Sequence, residues 1–480
     1  MTQKTSYSLG LAFVPILILI GLLTLNVIFF GDDTLAGSNQ IALLVSAGIV
    51  GLIAHKKNIA WSTIKKGITK SIDTAMPALL ILLLIGSLAG TWMISGVIPT
   101  LIYYGLDVLN PSTFLFASVI VTAIVSVSTG SSWSTIATIG VALMGIGMAL
   151  GINEGIVAGA VISGAYFGDK VSPLSDTTNL APAMAGTDLF THIRYMMITT
   201  VPSIIIALIL FLFIGLNHEF VDIEKNIVEV KSSIQESFVI SPWLFLVPVL
   251  LFTVIILKMP PLPALMFGTV IGGLAALIFQ PDLVNSIGGQ DSFIKNAYVT
   301  FMKAMFGNVT IATDSIVLAD LFQSSGMRGM LNTIWLIISA MVFGGALEAS
   351  GMLKRITDAI ISTIKSTFSL VASTAGTCIF FNLTTSDQYI AIVVPGKMYA
   401  DLYKEKGLKP EVLSRTLEDA GTVTSVLIPW NTCGATQSAV LGVSVWTYAP
   451  YAFFNIISPF MTLLIVSLNY KIRRLNPQTT

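Results

Sequence analysis

Residues 168–182, GDKVSPLSDTTNLAP, lie between two long apolar stretches and decide how the chain is read. They carry Asp169, Lys170 and Asp176, a set of hydroxyl side chains, Asn179 and two prolines. Pro173 removes a backbone donor and makes a continuous helix through the segment unfavourable. Irregular backbone inside a bilayer leaves amide groups unpaired at a cost of several kcal/mol each. Such a segment is tolerated only where it lines a cavity within protein. Three other stretches have the same character: 126–135 (SVSTGSSWST), 382–388 (NLTTSDQ) and 429–437 (PWNTCGATQ).

The surrounding composition makes a membrane interior the setting for these interruptions. Hydrophobic residues make up 54% of the chain and charged residues 10%, with a mean hydropathy of +0.85. Soluble domains carry about 25% charged residues, so this chain cannot cover a globule in water. Leu9–Phe30 and the runs 196–216, 241–257 and 448–468 approach the roughly 20 apolar residues that span a bilayer. Counting similar runs predicts roughly 10 to 14 membrane segments. They are helices, because barrel strands alternate polar and apolar residues. The predicted fold class is an all-α polytopic inner-membrane protein.

Leu9–Phe30 is too long for a cleaved signal peptide, and no small-residue cleavage site follows it. The net charge is zero, with no basic face for nucleic acid. Two cysteines, Cys378 and Cys433, make neither a disulfide framework nor a metal cluster and read as small packing residues. The small residues of 86–90 and 155–159 read as close helix-packing contacts.

Basic residues in short loops give the orientation. His55, Lys56, Lys57, Lys65, Lys66 and Lys70 place the second loop in the cytoplasm, whereas Asp32 and Asp33 mark the first loop as external. The polar loop 217–240, with Glu219, Asp222, Glu224, Glu229 and Glu236, suits the outside, and the basic end suits the inside. Both termini are then cytoplasmic. The predicted organisation is a first repeat at 1–216, the external loop at 217–240, a second repeat of opposite topology at 241–472, and a tail at 473–480.

The sequence supports that division. Gly96 and Gly351 end similar segments (351 − 96 = 255), and the interruptions at Ser128 and Thr384, and at Ser172 and Ile428, recur at an offset of 256. Extra sequence in the second half is expected within 280–331.

Two breaks in each half point to one composite site near the midplane. Freed carbonyls and hydroxyls can coordinate Na⁺, and half-helix N-termini can hold an anion. The candidate ligands are Thr129, Ser131 and Ser132 in the first break, and Asp169, Ser172, Ser175, Asp176, Thr177 and Asn179 in the second. In the other half they are Asn382, Thr384, Thr385 and Asp387, then Asn431 and Thr432. An unwound segment could bring Asp169 and Asp176 onto one cation. Burial favours a protonated carboxyl and a bound cation favours an ionised one, so Na⁺ and H⁺ would compete there.

Asp169 could instead pair with Lys170 or cap a helix, and Asp387 could be an N-cap. Glu348, alone in an apolar helix, is either a proton carrier or a residue facing a vestibule. His192 and Arg194 read as interface residues, and Asp314, Asp320 and Arg328 as residues near the outer surface.

GSSWSTIATIGVALMGIG at 130–147, followed by SGAYFGDKVSPLSDTTNLAPAMAGTDLFTHIRYM at 163–196, resembles the NhaC-type Na⁺/H⁺ antiporter family. The resemblance implies membership of the ion transporter superfamily: homodimers with a scaffold domain and an elevator-like transport domain. It also implies two re-entrant hairpins, tipped at 126–135 and 382–388, and two unwound helices, at 168–182 and 429–437. The Ser-Asn-Thr motif of superfamily relatives has no literal copy here.

The activity implied is Na⁺/H⁺ antiport by alternating access, with Na⁺ and H⁺ as cargo and no cofactor. The alternative is Na⁺- or H⁺-coupled exchange of a small organic anion or amino acid, of the malate–lactate type. An enzyme is disfavoured by the lack of an H-E-x-x-H motif and of a serine–base pair. Paired breaks disfavour a channel.

Overall fold

The computed structural model describes residues 7–30, 36–218, 223–313 and 322–475. The readings placed on Asp32, Asp33, Glu219, Asp222, Asp314, Asp320 and 476–480 lie outside these. Among the described residues nine helices are long and apolar enough to cross a membrane, or up to eleven if each bent pair is one span. The chain is therefore a multi-pass helical membrane protein. The count meets only the lower end of the sequence expectation, because the polar breaks cut several spans into half-helices.

The first part comprises α1 (Leu9–Phe30), α2 (Ser38–Lys56), the 34-residue α3 (Trp61–Ile94) and α4 (Val97–Val108). Then come α5 (Phe114–Thr129), α6 (Ser132–Ala149, with a π-turn at Ile136–Gly140), α7 (Glu154–Val171), α8 (Asp176–Ala185) and α9 (Leu189–Asn217). Next is α10 (Ile223–Ser237), which occupies most of what the sequence suggested was an external loop. It forms a helix because Ile227, Val230 and Ile234 recur on one face and pack with Phe238 on the core.

The later part comprises α11 (Leu246–Ile256), α12 (Pro261–Phe279), α13 (Pro281–Gly288), α14 (Phe293–Phe306), α15 (Leu331–Ala349) and α16 (Met352–Ile361). It continues with α17 (Thr367–Thr384), α18 (Gln388–Glu405), α19 (Pro410–Leu417, running into a π-turn at Glu418–Thr422), α20 (Thr432–Leu441) and α21 (Phe453–Ser467). Proline begins α12, α13 and α19, where its missing N–H is harmless. Between α14 and α15 two short strands, β1 (Val309–Thr310) and β2 (Gln323–Ser324), pair antiparallel.

Several elements start at a constant spacing. Ser132 and Gln388, Glu154 and Pro410, and Asp176 and Thr432 are each first residues of helices 256 positions apart (432 − 176). Gly96 and Gly351, 255 apart, both hold left-handed backbone at the start of a helix. Three cross-links tie together parts of the chain that are distant in sequence. Lys231 Nζ bonds the Asp107 carboxylate at 2.7 and 2.8 Å, joining α10 to α4. Elsewhere Lys409 N bonds the Arg473 carbonyl at 3.1 Å, and Arg355 Nε bonds the Tyr7 carbonyl at 3.0 Å.

The tightest packing that concerns the site is α5 on α7. A Cβ on Gly168 would lie 2.5 Å from the Ala123 carbonyl oxygen and 2.5 Å from Ser126 Cβ. Glycine is therefore required there, and the close approach lets Ser126 Oγ donate to the Ala165 carbonyl at 2.6 Å.

Candidate functional site

All four sequence interruptions are helix breaks, and each restarts on a side-chain N-cap. Ser131 caps α6, Ser175 caps α8, Asp387 caps α18 and Asn431 caps α20. A helix ends on each break as another begins, so carbonyl ends and N–H ends face the same buried region.

In the first half α5 closes on Gly130 in left-handed backbone (φ 69°), where a Cβ would lie 2.6 Å from Leu174 Cβ. The chain then turns into α6 and presents Ser132. Both its N–H (3.2 Å) and its hydroxyl (2.6 Å) donate to the Asp169 carboxylate on α7. Ser172 donates to the Val127 carbonyl at 2.7 Å, so the segment after α7 is tied to the end of α5. Thr178 donates to the carbonyls of Asp169 and Lys170 at 3.0 and 2.9 Å. The hydroxyls of Ser175 and Thr177 pair at 3.2 Å, and Thr129 lies 3.4 Å from the Thr135 hydroxyl.

In the second half the Asn382 amide donates to the Gly421 carbonyl (2.7 Å) and to Thr424 Oγ1 (3.1 Å). Asn431 in turn donates to the carbonyl and the side-chain oxygen of Asn382. Thr432 N bonds the Ser386 carbonyl at 2.9 Å. Asp387 accepts from Ile390 N at 2.9 Å, the N-cap alternative. Thr384 and Thr385 donate back into their own helix. Cys433, expected to be only a packing residue, also directs its thiol at Gln388 Oε1, 2.8 Å away.

The structure corrects several sequence readings. Asp169 is buried, whereas Asp176 is exposed at the first position of α8 and lies within electrostatic reach of it. Asn179 is also exposed and its amide is spent on the carbonyls of Pro173 and Ser175. Glu348 is exposed near the end of α15, as its vestibule alternative expects. His192 is not an interface residue: it is fully buried, with Nδ1 2.8 Å from Ser414 Oγ. Arg194 is exposed.

Lys170 does not pair with its neighbour Asp169. It crosses to Asp419 in the π-turn after α19, in an ion pair with both side chains fully buried. Asp419 also accepts from Thr199 (2.8 Å), Ser458 (3.1 Å) and Thr462, and Arg415 Nε lies 4.0 Å away. Arg415 stacks on the Tyr195 ring at 4.6 Å, and Arg473 faces the same ring at 5.2 Å. Sequence reasoning missed Arg415, Glu418 and Asp419. The signal available was the 256 spacing, which sets Glu418 against Ile162 and Asp419 against Ser163, in the middle of α7.

Fold and site together define a multi-pass membrane protein with a buried polar centre built from helix breaks. The chain belongs to the Na⁺/H⁺ antiporter family, whose model matches residues 164–469. It is 36% identical over 425 residues to a Na⁺/H⁺ antiporter NhaC of Alkalihalophilus pseudofirmus, covering 88% of this chain and 89% of that one. It is also 36% identical over 420 residues to a malate-2H⁺/Na⁺-lactate antiporter of Bacillus subtilis, covering 87% of each. An arginine/ornithine antiporter of Halobacterium salinarum is 31% identical over 475 residues, 98% of this chain and 94% of that one.

Proposed function

We propose that the chain is a Na⁺/H⁺ antiporter that binds Na⁺ at Asp169 and works by alternating access. The observation that carries this is a buried carboxylate, held by Ser132 at the start of α6, with its neighbouring cation already engaged by Asp419. Among the described residues no Lys or Arg pairs with Asp169, so its charge remains for a transported cation. The hydroxyls of Thr129, Ser131, Ser132 and Ser175 are the neutral ligands of this reading, with carbonyls freed at the breaks.

The constant spacing of helix starts supports two inverted repeats, 1–216 and 241–472, with both termini cytoplasmic. The proposal extends to an elevator-type transport domain and a homodimer in the plasma membrane. Helix N-termini at four breaks favour a second reading, coupled exchange of a small organic anion or amino acid.

Purified protein in liposomes with an internal pH dye separates the two. A Na⁺ gradient should move protons with no organic solute present, and Asp169→Asn should abolish the movement while the variant still purifies as a single species. Proton movement that starts only on adding malate, lactate or an amino acid would establish the second reading instead.

A further inference from the structure

Glu418 opens the π-turn after α19 and is fully buried, yet neither carboxylate oxygen has a hydrogen-bond partner. Thr422, later in the same turn, has an unpartnered hydroxyl. Arg415, one helical turn earlier, has all three guanidinium nitrogens without a hydrogen bond, and His192 Nε2 is likewise unpartnered. Lys170, Asp169 and Asp419 lie within electrostatic reach of Glu418. The other helices packed on this turn bring few titratable groups. α17 carries Cys378, and α8 carries the exposed Asp176. α18 brings the buried Tyr399 and Tyr403 with Asp387 at its cap, its first-turn Tyr389 and its charged residues being exposed. α21 offers only the hydroxyls of Ser458 and Thr462.

Asp169, Glu418 and Asp419 are therefore unequal. Asp169 and Asp419 are surrounded by donors, as an ionised carboxylate needs. Glu418 has only the Thr422 hydroxyl of its own turn near it, short of a full hydrogen bond, and an ionised carboxylate buried with so little support is strongly unfavourable. π-turns inside α-helices also occur often at functional sites.

We infer that Glu418 is the proton carrier of the exchange, coupled through space to Na⁺ at Asp169 rather than sharing a carboxylate with it. The inference rests on the antiport reading. With Glu418 protonated, Lys170 and Arg415 balance Asp169 and Asp419. A Na⁺ arriving at Asp169 adds one positive charge to this enclosed cluster, and departure of the Glu418 proton removes one. On release of Na⁺ the proton returns to the same carboxylate. Each half-cycle thus trades one Na⁺ for one H⁺ with the cluster's net charge unchanged.

The test is Na⁺ binding to the purified full chain at several pH values. In the wild type the apparent Kd should weaken as pH falls, by up to about tenfold per unit for a fully coupled proton. Glu418→Gln should bind Na⁺ with less than about twofold change over the same range, whereas Glu418→Asp should keep a pH dependence. Glu418→Gln following the wild-type profile overturns the inference and leaves the antiport reading standing. No Na⁺ binding by the wild type at any pH overturns both.

If Glu418→Gln does not purify, infrared difference spectra of the wild type decide. Added Na⁺ should remove a protonated-carboxyl band, and an unchanged band overturns the inference.

Discussion

Replacing Lys170 by Met and Asp419 by Leu, singly and together, measures how the central charges hold one another. Removing one member of a buried ion pair costs about 3–5 kcal/mol, because the other is left uncompensated. The structure makes the two losses unequal. Without Lys170, Asp419 keeps donors from Thr199, Ser458 and Thr462 and has Arg415 Nε 4.0 Å away. Lys170→Met should therefore fall near the lower end, about 3 kcal/mol. Without Asp419, the ammonium of Lys170 keeps one hydrogen bond among the described residues, to the Ser458 hydroxyl at 3.0 Å, with the Phe454 ring at 5.5 Å and Glu418 acting on it only through space. Asp419→Leu also takes the acceptor from the Thr462 hydroxyl, while Thr199 keeps the Met196 carbonyl at 3.0 Å, and the loss should approach about 5 kcal/mol.

The double variant removes both charges and should recover to within about 2 kcal/mol of the wild type, since apolar replacement of a buried pair is often close to neutral. Thermal unfolding of the four proteins in one detergent, at fixed Na⁺ and pH, closes the cycle. Two results would refute the reasoning: a double variant that loses the sum of the single losses, or Asp419→Leu as the milder single change.

Two further outcomes follow from local geometry. Gly168→Ala should destabilise the protein by about 1–3 kcal/mol and slow exchange, because its Cβ meets the α5 backbone; unchanged melting would show that α5 and α7 separate freely. Asp188 caps α9, and its bonds from Thr191, the hydroxyl before the N–H, hold its carboxyl below the ordinary range. A lowered carboxyl pKa means that the cap is complete at neutral pH and fades in acid, as pH falls through that lowered value. Hydrogen exchange in the first turn of α9 should therefore show extra opening in acid, relative to an Asp188→Ser variant that stays capped at every pH; equal behaviour of the two would reject the assignment.

The helix breaks were legible because polar residues and proline stand out against apolar sequence, and each break does restart on a capping residue. The partners across each break were not. That Ser132 serves Asp169, or that Asn431 braces Asn382, depends on how helices distant in sequence are packed across the breaks. Glu348 drew attention as a lone charge in an apolar helix, but helical phase at the end of α15 points it outward. Arg415, Glu418 and Asp419 escaped notice for the opposite reason. RTLEDAG at 415–421 follows a lysine-rich turn and has the composition of a soluble loop, although every one of its residues is buried.

Ser386 sits in left-handed backbone (φ 60°) at the tip between α17 and α18, with its hydroxyl buried and unpartnered. The position 256 residues earlier is Gly130, which adopts the same conformation without a Cβ. Left-handed backbone costs a residue with a Cβ about 1 kcal/mol, so the junction at Gly130 is relaxed while the one at Ser386 stores strain. If only one of the two transport conformations requires that backbone, about 1 kcal/mol is worth roughly a fivefold bias between them. A single side chain would then set which way the carrier faces at rest, and Ser386→Gly would reset it without touching the cargo.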